Sequence, residues 1–148
     1  MCDSIKDKMI SCTIPNYNHG MYLKKSIEAA LDQGDSLDKV YIIDDASTDN
    51  SRDILKNYIN NPKIEIILND KNQGALWCVN HALNKIESEY TSFLSADDYI
   101  LPNFFSNTIE TLRKYPQAKI CTTKPLFIDG KSNAPIDNSY FMPKIKES

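Results

Sequence analysis

The chain has 148 residues, with 17 basic and 20 acidic side chains and a net charge of −3. This length suits one α/β domain with its own core, and the interleaved charges exclude a basic stripe that would follow nucleic acid phosphates. No apolar run is long enough to span a bilayer, and no signal peptide pattern occurs, so we expect no transmembrane segment in this chain.

The first half of the chain alternates strand-like and helix-like patterns. Three short apolar runs predict buried strands, at 9–14, 39–43 and 63–68. After the first strand, apolar residues at helical spacing predict a helix over 20–33. After the second strand, Asp49 and Ser51 can cap a helix. That helix is predicted to bury Ile54, Leu55, Tyr58 and Ile59.

The second half repeats this alternation. Helical spacing predicts helices over 75–86 and 104–112, and apolar runs predict strands at 90–94 and 118–123. Alternating units of this kind indicate an α/β fold with a mainly parallel sheet and helices on both faces. Right-handed crossovers then bring the carboxyl ends of the strands to one edge.

The periodic pattern fades near Asp129-Gly130, a turn signal followed by polar residues. We therefore predict a domain at 1–128 and a polar tail at 129–148 that begins a further part of a longer protein.

The cysteines and histidines form no metal or nucleophile pattern. No pair of cysteines has C-x-x-C spacing, so a zinc site is not expected. Cys12 and Cys121 lie in apolar runs and are predicted to be buried thiols, which favours a reducing compartment. His19 and His81 are predicted to be surface or capping residues. Cys2 and Cys78 complete the set of cysteines.

Polar residues gather where the predicted strands end. The four segments are Ile14-Pro15-Asn16-Tyr17-Asn18, residues 44–49, residues 69–74, and Ser95-Ala96-Asp97-Asp98. In open α/β sheets, ligands bind beyond the carboxyl ends of the strands. Acids on one rim repel each other unless a cation joins them, and a hard divalent ion with oxygen ligands suits this set.

Most of these residues also have a purely structural interpretation. Packing, capping or tight turns remain open for Tyr17, Asn18, Asp45, Asp49, Asn72 and Gly74. Asp97-Asp98 is harder to explain in this way, because adjacent carboxylates repel each other without adding a cap. Trp77 is predicted to pack in the core rather than to stack on a ligand.

The order of the motifs is more specific than any one of them. I-P-x-Y-N, D-D-A-S-T-D, N-x-G and A-D-D fall on successive strand ends. In this order they resemble the family 2 glycosyltransferases of the GT-A fold, over nearly the whole chain. The resemblance implies transfer of a sugar from a nucleoside-diphosphate sugar, usually a UDP-sugar, to an acceptor hydroxyl, with inversion.

The resemblance also implies roles at the base of the nucleotide. Tyr17 would stack on or line the base, with Asn18 beside it in the Y-N motif. Asp45 would accept a hydrogen bond from a ring N–H of the base, and Pro15 would contact the base through its backbone. Asn72 and Gly74 match the N-x-G segment beside the nucleoside.

At the diphosphate, the resemblance implies a site for Mn²⁺ or Mg²⁺. Asp97 matches the last acid of the D-x-D motif, which binds the metal, and Asp98 would support it from behind. Ser95 stands where the motif has its first acid, followed by Ala96. The serine can donate a hydrogen bond to a ribose hydroxyl, but it adds no charge to the metal site.

The residue that deprotonates the acceptor is not identified. The resemblance places this general base in a later acidic segment, and neither Asp129 nor Asp137, the acids before Glu147, is assigned the role. We expect the acceptor part of the enzyme to lie outside this chain. The acceptor itself, a saccharide or a lipid-linked molecule, stays open. A cytoplasmic location is expected, free or peripheral on the cytoplasmic face of the membrane.

Two other classes were considered. Asp44-Asp45 and Lys124-Pro125 are typical of a magnesium-dependent receiver domain. In that class, however, the acid pair follows the first strand, and a hydroxyl residue stands in place of Asp97-Asp98. A Rossmann dinucleotide site is excluded because G-x-G-x-x-G does not occur.

Overall fold

The computed structural model describes residues 9–130, 132 and 134–136. It contains a four-stranded sheet in the order β3-β2-β1-β4, in which every pair of neighbouring strands is parallel. The strands are β1 (Ile10–Asn16), β2 (Leu37–Asp44), β3 (Ile64–Leu68) and β4 (Tyr90–Phe93). The predicted parallel α/β fold is confirmed.

Four α-helices connect or follow these strands. They are α1 (Gly20–Leu31), α2 (Ser51–Leu55), α3 (Ala75–Leu83) and α4 (Phe104–Lys114). A short 3₁₀ turn at Gly34–Ser36 leads into β2, and another at Lys56–Tyr58 continues α2. No helix in the described part of the chain has both the length and the apolar character needed to cross a membrane.

Helices pack on both faces of the sheet. Alternate residues of each strand point to opposite faces, so one strand contributes side chains to the packing on both sides. Val40 and Ile42 of β2 belong to a core cluster with residues of α1, α2 and α4. The intervening Tyr41 and Ile43 pack instead with Cys78 of α3. The central strands are therefore buried on both faces, which explains their unbroken apolar sequences.

The chain places its strands first on one side of β1 and then on the other. It runs outward through β2 to β3 and then crosses back, through α3, to β4 on the other side of β1. Such a reversal opens a crevice at the carboxyl ends of the two strands that flank it. The strand-end segments of β1 and β4 therefore border the expected ligand site.

One predicted strand is absent, and the predicted helix after β2 is present without burying all four of its predicted residues. The helix after β2 is α-helical over only five residues, and Ile59, predicted to be buried, is 65% exposed. The stretch at 118–123 is not a strand. Its Ile120 is 79% exposed, and within the described residues the only pairing beyond β4 is one antiparallel bridge between Ile128 and Pro135. Without a partner strand or burial, an apolar run alone does not form a strand.

Two predicted core residues are also wrong. Cys121 is only partly buried, because the segment that carries it forms no strand, whereas Cys12 and Cys78 are fully buried. Trp77 is 40% exposed and stacks on His81 of the same helix, with ring centroids 4.9 Å apart. Cys78 and Ala82 occupy the buried face of α3 instead.

Candidate functional site

The carboxyl ends of β1 and β2 are joined by buried polar side chains. Asn16 donates from Nδ2 to Oδ1 of Asp44 at 2.9 Å and to Oγ of Ser47 at 3.1 Å. Asn16 and Asp44 are both almost completely buried, and Arg52 supplies the positive charge that Asp44 requires, at 2.8 Å. This network fixes where the loops after the two strands begin.

Asn18 organises the loop after β2. Its Oδ1 accepts hydrogen bonds from the backbone N–H of Thr48 at 2.7 Å and of Asp49 at 3.3 Å. Its own N–H donates to Oγ of Ser47 at 2.9 Å. Asn18 therefore does not cap α1, whose N-cap is His19. Within the site it holds the D-D-A-S-T-D segment against β1.

Asp49 connects the beginnings of two helices. Its carboxylate accepts hydrogen bonds from the N–H of Gly20 at 2.8 Å and from the N–H of Ser51 at 2.9 Å, the first residues of α1 and α2. The N-cap position of α2 is Asn50 rather than the predicted Asp49, and Asp49 instead binds N–H groups at the beginnings of both helices. A Cβ at Gly20 would clash with Oδ1 of Asn50 and would lie 3.0 Å from Oδ2 of Asp49, so a larger residue there would have to displace these two side chains.

Asp45 is the centre of a cradle formed by the residues after β3. Its carboxylate accepts hydrogen bonds from Nδ2 of Asn69 at 2.7 Å, from the N–H of Gln73 at 2.9 Å and from the N–H of Gly74 at 2.7 Å. Burial acts to raise the pKa of Asp45, but these donors outweigh it and hold that pKa below its ordinary value. An ionised Asp45 thus shapes the N-x-G segment.

The two residues of the N-x-G motif form a tight turn. Oδ1 of Asn72 accepts a hydrogen bond from the N–H of Gly74 at 3.0 Å. Gly74 has φ +91°, a backbone conformation that suits only glycine.

Tyr17, at the end of β1, is 45% exposed, and its ring is accessible to a ligand. Pro15 is partly buried in β1.

The acid pair follows β4. Oγ of Ser95 forms a very short hydrogen bond with Oδ1 of Asp97, and the N–H of Asp98 donates to the Ser95 carbonyl at 3.1 Å. Ala96 is fully buried, which anchors the turn, while Asp97 and Asp98 are exposed. Partial desolvation of its carboxyl group and the neighbouring charge of Asp97 raise the pKa of Asp98, and a nearby cation would relieve the repulsion between the two carboxylates.

Two cavities adjoin the acid pair. One, of about 360 Å³, has mainly apolar walls from Leu94, residues 99–101, Phe104 of α4 and the segment at 123–128. The other, of about 530 Å³, lies between Asp97-Asp98 and the first two turns of α1. Neither is lined by Tyr17 or Asp45 among the described residues, so the Asp45 cradle and the acid pair are separate parts of the same sheet edge.

The donor set of the acid pair suits a divalent metal completed by substrate. Within the described ranges, no three His, Cys, Asp or Glu side chains gather into a complete protein metal site. Asp97 and Asp98 offer hard oxygen ligands, which Mg²⁺ and Mn²⁺ prefer, and Mg²⁺ is usually bound by one or two carboxylates with water and phosphate oxygens. Asp137 and Glu147 lie outside the described residues.

Four residues of the site were not identified from the sequence. Asn16, Arg52, Asn69 and Gln73 all take part in the hydrogen bonds described above. The position of Asn16 within the I-P-N-Y-N motif was a usable signal. No sequence signal pointed to Arg52 or Gln73, because their hydrogen-bond partners are 8 and 28 positions away in the sequence.

Similar proteins place these features in a known family. The chain is 32% identical over 136 residues to chondroitin synthase of Escherichia coli, covering 91% of this chain and 20% of that protein. Two other curated relatives are also longer proteins, and this chain spans only 36% and 37% of their lengths.

Solved structures show the same fold. A crystal structure of S. aureus TarS 1-349 in complex with UDP matches with a TM-score of 0.64 and 25% identity, covering 73% of this chain and 33% of that one. Mannosyltransferase PcManGT from Pyrobaculum calidifontis, in complex with GDP-Man and Mn²⁺, matches with a TM-score of 0.62 and 20% identity, covering 70% and 32%.

The comparisons give no support to the receiver-domain alternative. The Glycosyl transferase family 2 profile matches residues 11–147, which includes all four strand ends and both carboxylate centres. The chain belongs to glycosyl transferase family 2.

Proposed function

We propose that this chain binds the nucleoside-diphosphate sugar of a glycosyltransferase that transfers the sugar to an acceptor hydroxyl. The observation that carries the proposal is the placement of two carboxylate centres, Asp45 and Asp97-Asp98, on the carboxyl edge of one parallel sheet. One is held in a cradle of hydrogen-bond donors, and the other is exposed beside cavities.

The nucleoside would lie at the Asp45 cradle. The exposed ring of Tyr17 would stack on the base, the Pro15 backbone would line it, and Asn72 and Gly74 would border the ribose. Asn18 would not contact the nucleotide and would hold the loop after β2 in place through its hydrogen bonds. The hydrogen bonds that Asp45 accepts keep its carboxylate ionised. One of its oxygens would therefore also accept a hydrogen bond from a ring N–H of the base. We propose uridine as the base, since TarS has been solved with UDP.

The diphosphate would lie at the acid pair. Asp97 and Asp98 would hold Mn²⁺ or Mg²⁺, and Ser95 would bond to the ribose beside the buried Ala96. When bound, the metal supplies positive charge that stabilises the departing diphosphate.

The reaction is a displacement at the anomeric carbon of the donor sugar. The acceptor oxygen forms a bond to this carbon as the bond to the diphosphate oxygen breaks, with inversion of configuration. The acceptor proton passes to a general base, which we place in the longer enzyme outside this chain. We place that enzyme in the cytoplasm or on the cytoplasmic face of its membrane, where cysteines stay reduced.

Calorimetry with UDP tests the proposal. UDP should bind more tightly with Mn²⁺ than with a chelator, and Asp97→Asn should remove most of this gain while leaving the melting temperature nearly unchanged. Asp35→Asn, an exposed acid in the 3₁₀ turn after α1, is the control for net charge. Equal UDP affinities with and without Mn²⁺ would contradict the metal role. No UDP binding by the folded chain would overturn the assignment of the nucleotide.

A further inference from the structure

Helix α1 contributes a positive charge to the cavity beside the acid pair. Lys25 lines the cavity of about 530 Å³ together with Asp97, Asp98 and Tyr99. Its Nζ lies 3.8 Å from the centroid of the Tyr99 ring, within the range of a cation–π interaction. This contact keeps the ammonium group on the cavity wall.

The position of Lys25 is fixed by its neighbour. Ser26 is fully buried, and its Oγ donates to the carbonyl of Ser95 at 3.3 Å. This hydrogen bond ties the second turn of α1 to the residue that begins the acid-pair turn. Lys25 is therefore held beside Asp97 and Asp98 by both its ring contact and its backbone.

Charge explains why a lysine is useful at this point. Asp97 and Asp98 carry two negative charges, which repel a diphosphate when no metal is bound and are cancelled when a divalent cation is bound. An ammonium on the same cavity wall attracts the diphosphate in both states, and with the metal bound it gives the site a net positive charge. Lysine is well suited to phosphate, because its ammonium is a compact charge with three donors.

We propose that Lys25 binds the diphosphate of the donor directly, giving the chain an affinity for nucleoside diphosphates that does not depend on metal. This inference rests on the proposed function, because it names a further contact in the same site. The sequence did not single out Lys25, which follows Lys24 in an ordinary amphipathic helix.

The test compares UDP with uridine by calorimetry in the presence of a chelator. Wild-type protein should bind UDP more tightly than uridine, and Lys25→Met should weaken UDP about tenfold without changing uridine, the value expected for loss of one charged hydrogen bond. Lys25→Arg should retain most of the UDP affinity. Lys24→Met is the matched control, since Lys24 is exposed and pairs with Glu28 on the helix surface.

The outcomes separate this inference from the function on which it rests. Failure of folded wild-type protein to bind either ligand, with or without Mn²⁺, would overturn both. Metal-independent UDP binding that survives in Lys25→Met would overturn only the role of Lys25. An equal loss of UDP and uridine in that variant, or an equal loss of UDP in Lys24→Met, would also overturn it, because either result indicates a general effect on the site.

Discussion

Arg52 donates from Nε to Oδ2 of Asp44 across 2.8 Å, and Asp44 is completely buried. The same guanidinium donates from Nη2 to the carbonyl of Asn69 at 2.7 Å. Arg52, in α2, thus connects the end of β2 to the residue that follows β3. Since the side chain of Asn69 holds Asp45, this ion pair supports the cradle at the site.

Arg52→Met should lower the free energy of unfolding by about 2 kcal/mol, because it leaves a buried carboxylate without its charged partner. The loss is smaller than for a fully buried pair, since Asn16 and the N–H of Ser47 still donate to Asp44. Urea denaturation measures it. Lys56→Met, which breaks the exposed pair with Asp53, should change stability by less than about 0.5 kcal/mol. Similar values for the two variants would contradict the prediction.

Ala46→Gly should stabilise the protein by about 1 kcal/mol. Ala46 has φ +63°, a left-handed conformation that costs an L-residue with a Cβ about 1 kcal/mol or more. Gly74→Ala should act in the opposite direction, since Gly74 has φ +91° and an added Cβ would meet no atom within 4 Å. Its loss of stability would therefore report backbone strain alone. Thermal unfolding of both variants gives the signs, and a destabilised Ala46→Gly would show that the alanine side chain outweighs the strain.

Asp45 should contribute to stability at neutral pH and lose this contribution in acid. Its pKa is lower in the folded chain than its ordinary value, so the contribution is complete above about pH 4 and disappears as the pH falls through the lower folded value. Asp45→Asn should therefore be destabilised by about 2 kcal/mol at pH 7, where its amide would face the N–H groups of Gln73 and Gly74. Denaturation between pH 7 and pH 3 should show the difference from wild type narrowing. A constant difference would contradict the prediction.

The cysteines should differ sharply in reactivity. Burial raises the pKa of Cys12 to about 12, and burial together with the charge of Asp45 raises that of Cys78 to about 11. At pH 8 only about one Cys78 in a thousand would be the reactive thiolate. In a Cys2→Ser background, because Cys2 lies outside the described residues, a thiol reagent should label partly exposed Cys121 first. Labelling of all three at similar rates in the native protein would contradict these environments.

The sheet could be predicted because its two central strands, β1 and β2, are buried on both faces. Each of β1, β2 and β3 is an apolar run that is followed by polar residues at the carboxyl edge, and this pattern is local in sequence. The stretch at 118–123 has the same local pattern without a partner strand. Pairing depends on distant segments, and no window of sequence could reveal its absence.

The residues of the site were predictable in type but not in their contacts. Asn18, Asp45 and Asp97 could be identified one by one from their places at strand ends, whereas the hydrogen bond between Asn18 and the loop at 47–49 spans 30 residues. Arg52 resembled an ordinary surface arginine, because its partners lie on β2 and after β3. Only the folded chain shows that Asp45 is already surrounded by donors before any ligand binds.

Helix α1 reaches both ends of the binding edge. Its first residue, Gly20, is hydrogen-bonded to Asp49 in the loop after β2, and Ser26 is hydrogen-bonded to Ser95 after β4. A substitution at Gly20 that moves the start of this helix should therefore also move Lys25, the proposed diphosphate ligand, although Gly20 lines neither cavity beside the acid pair. If the proposed function holds, substitutions in the loop at 44–49 should then change the binding of the diphosphate, through the backbone of α1, as well as the binding of the base.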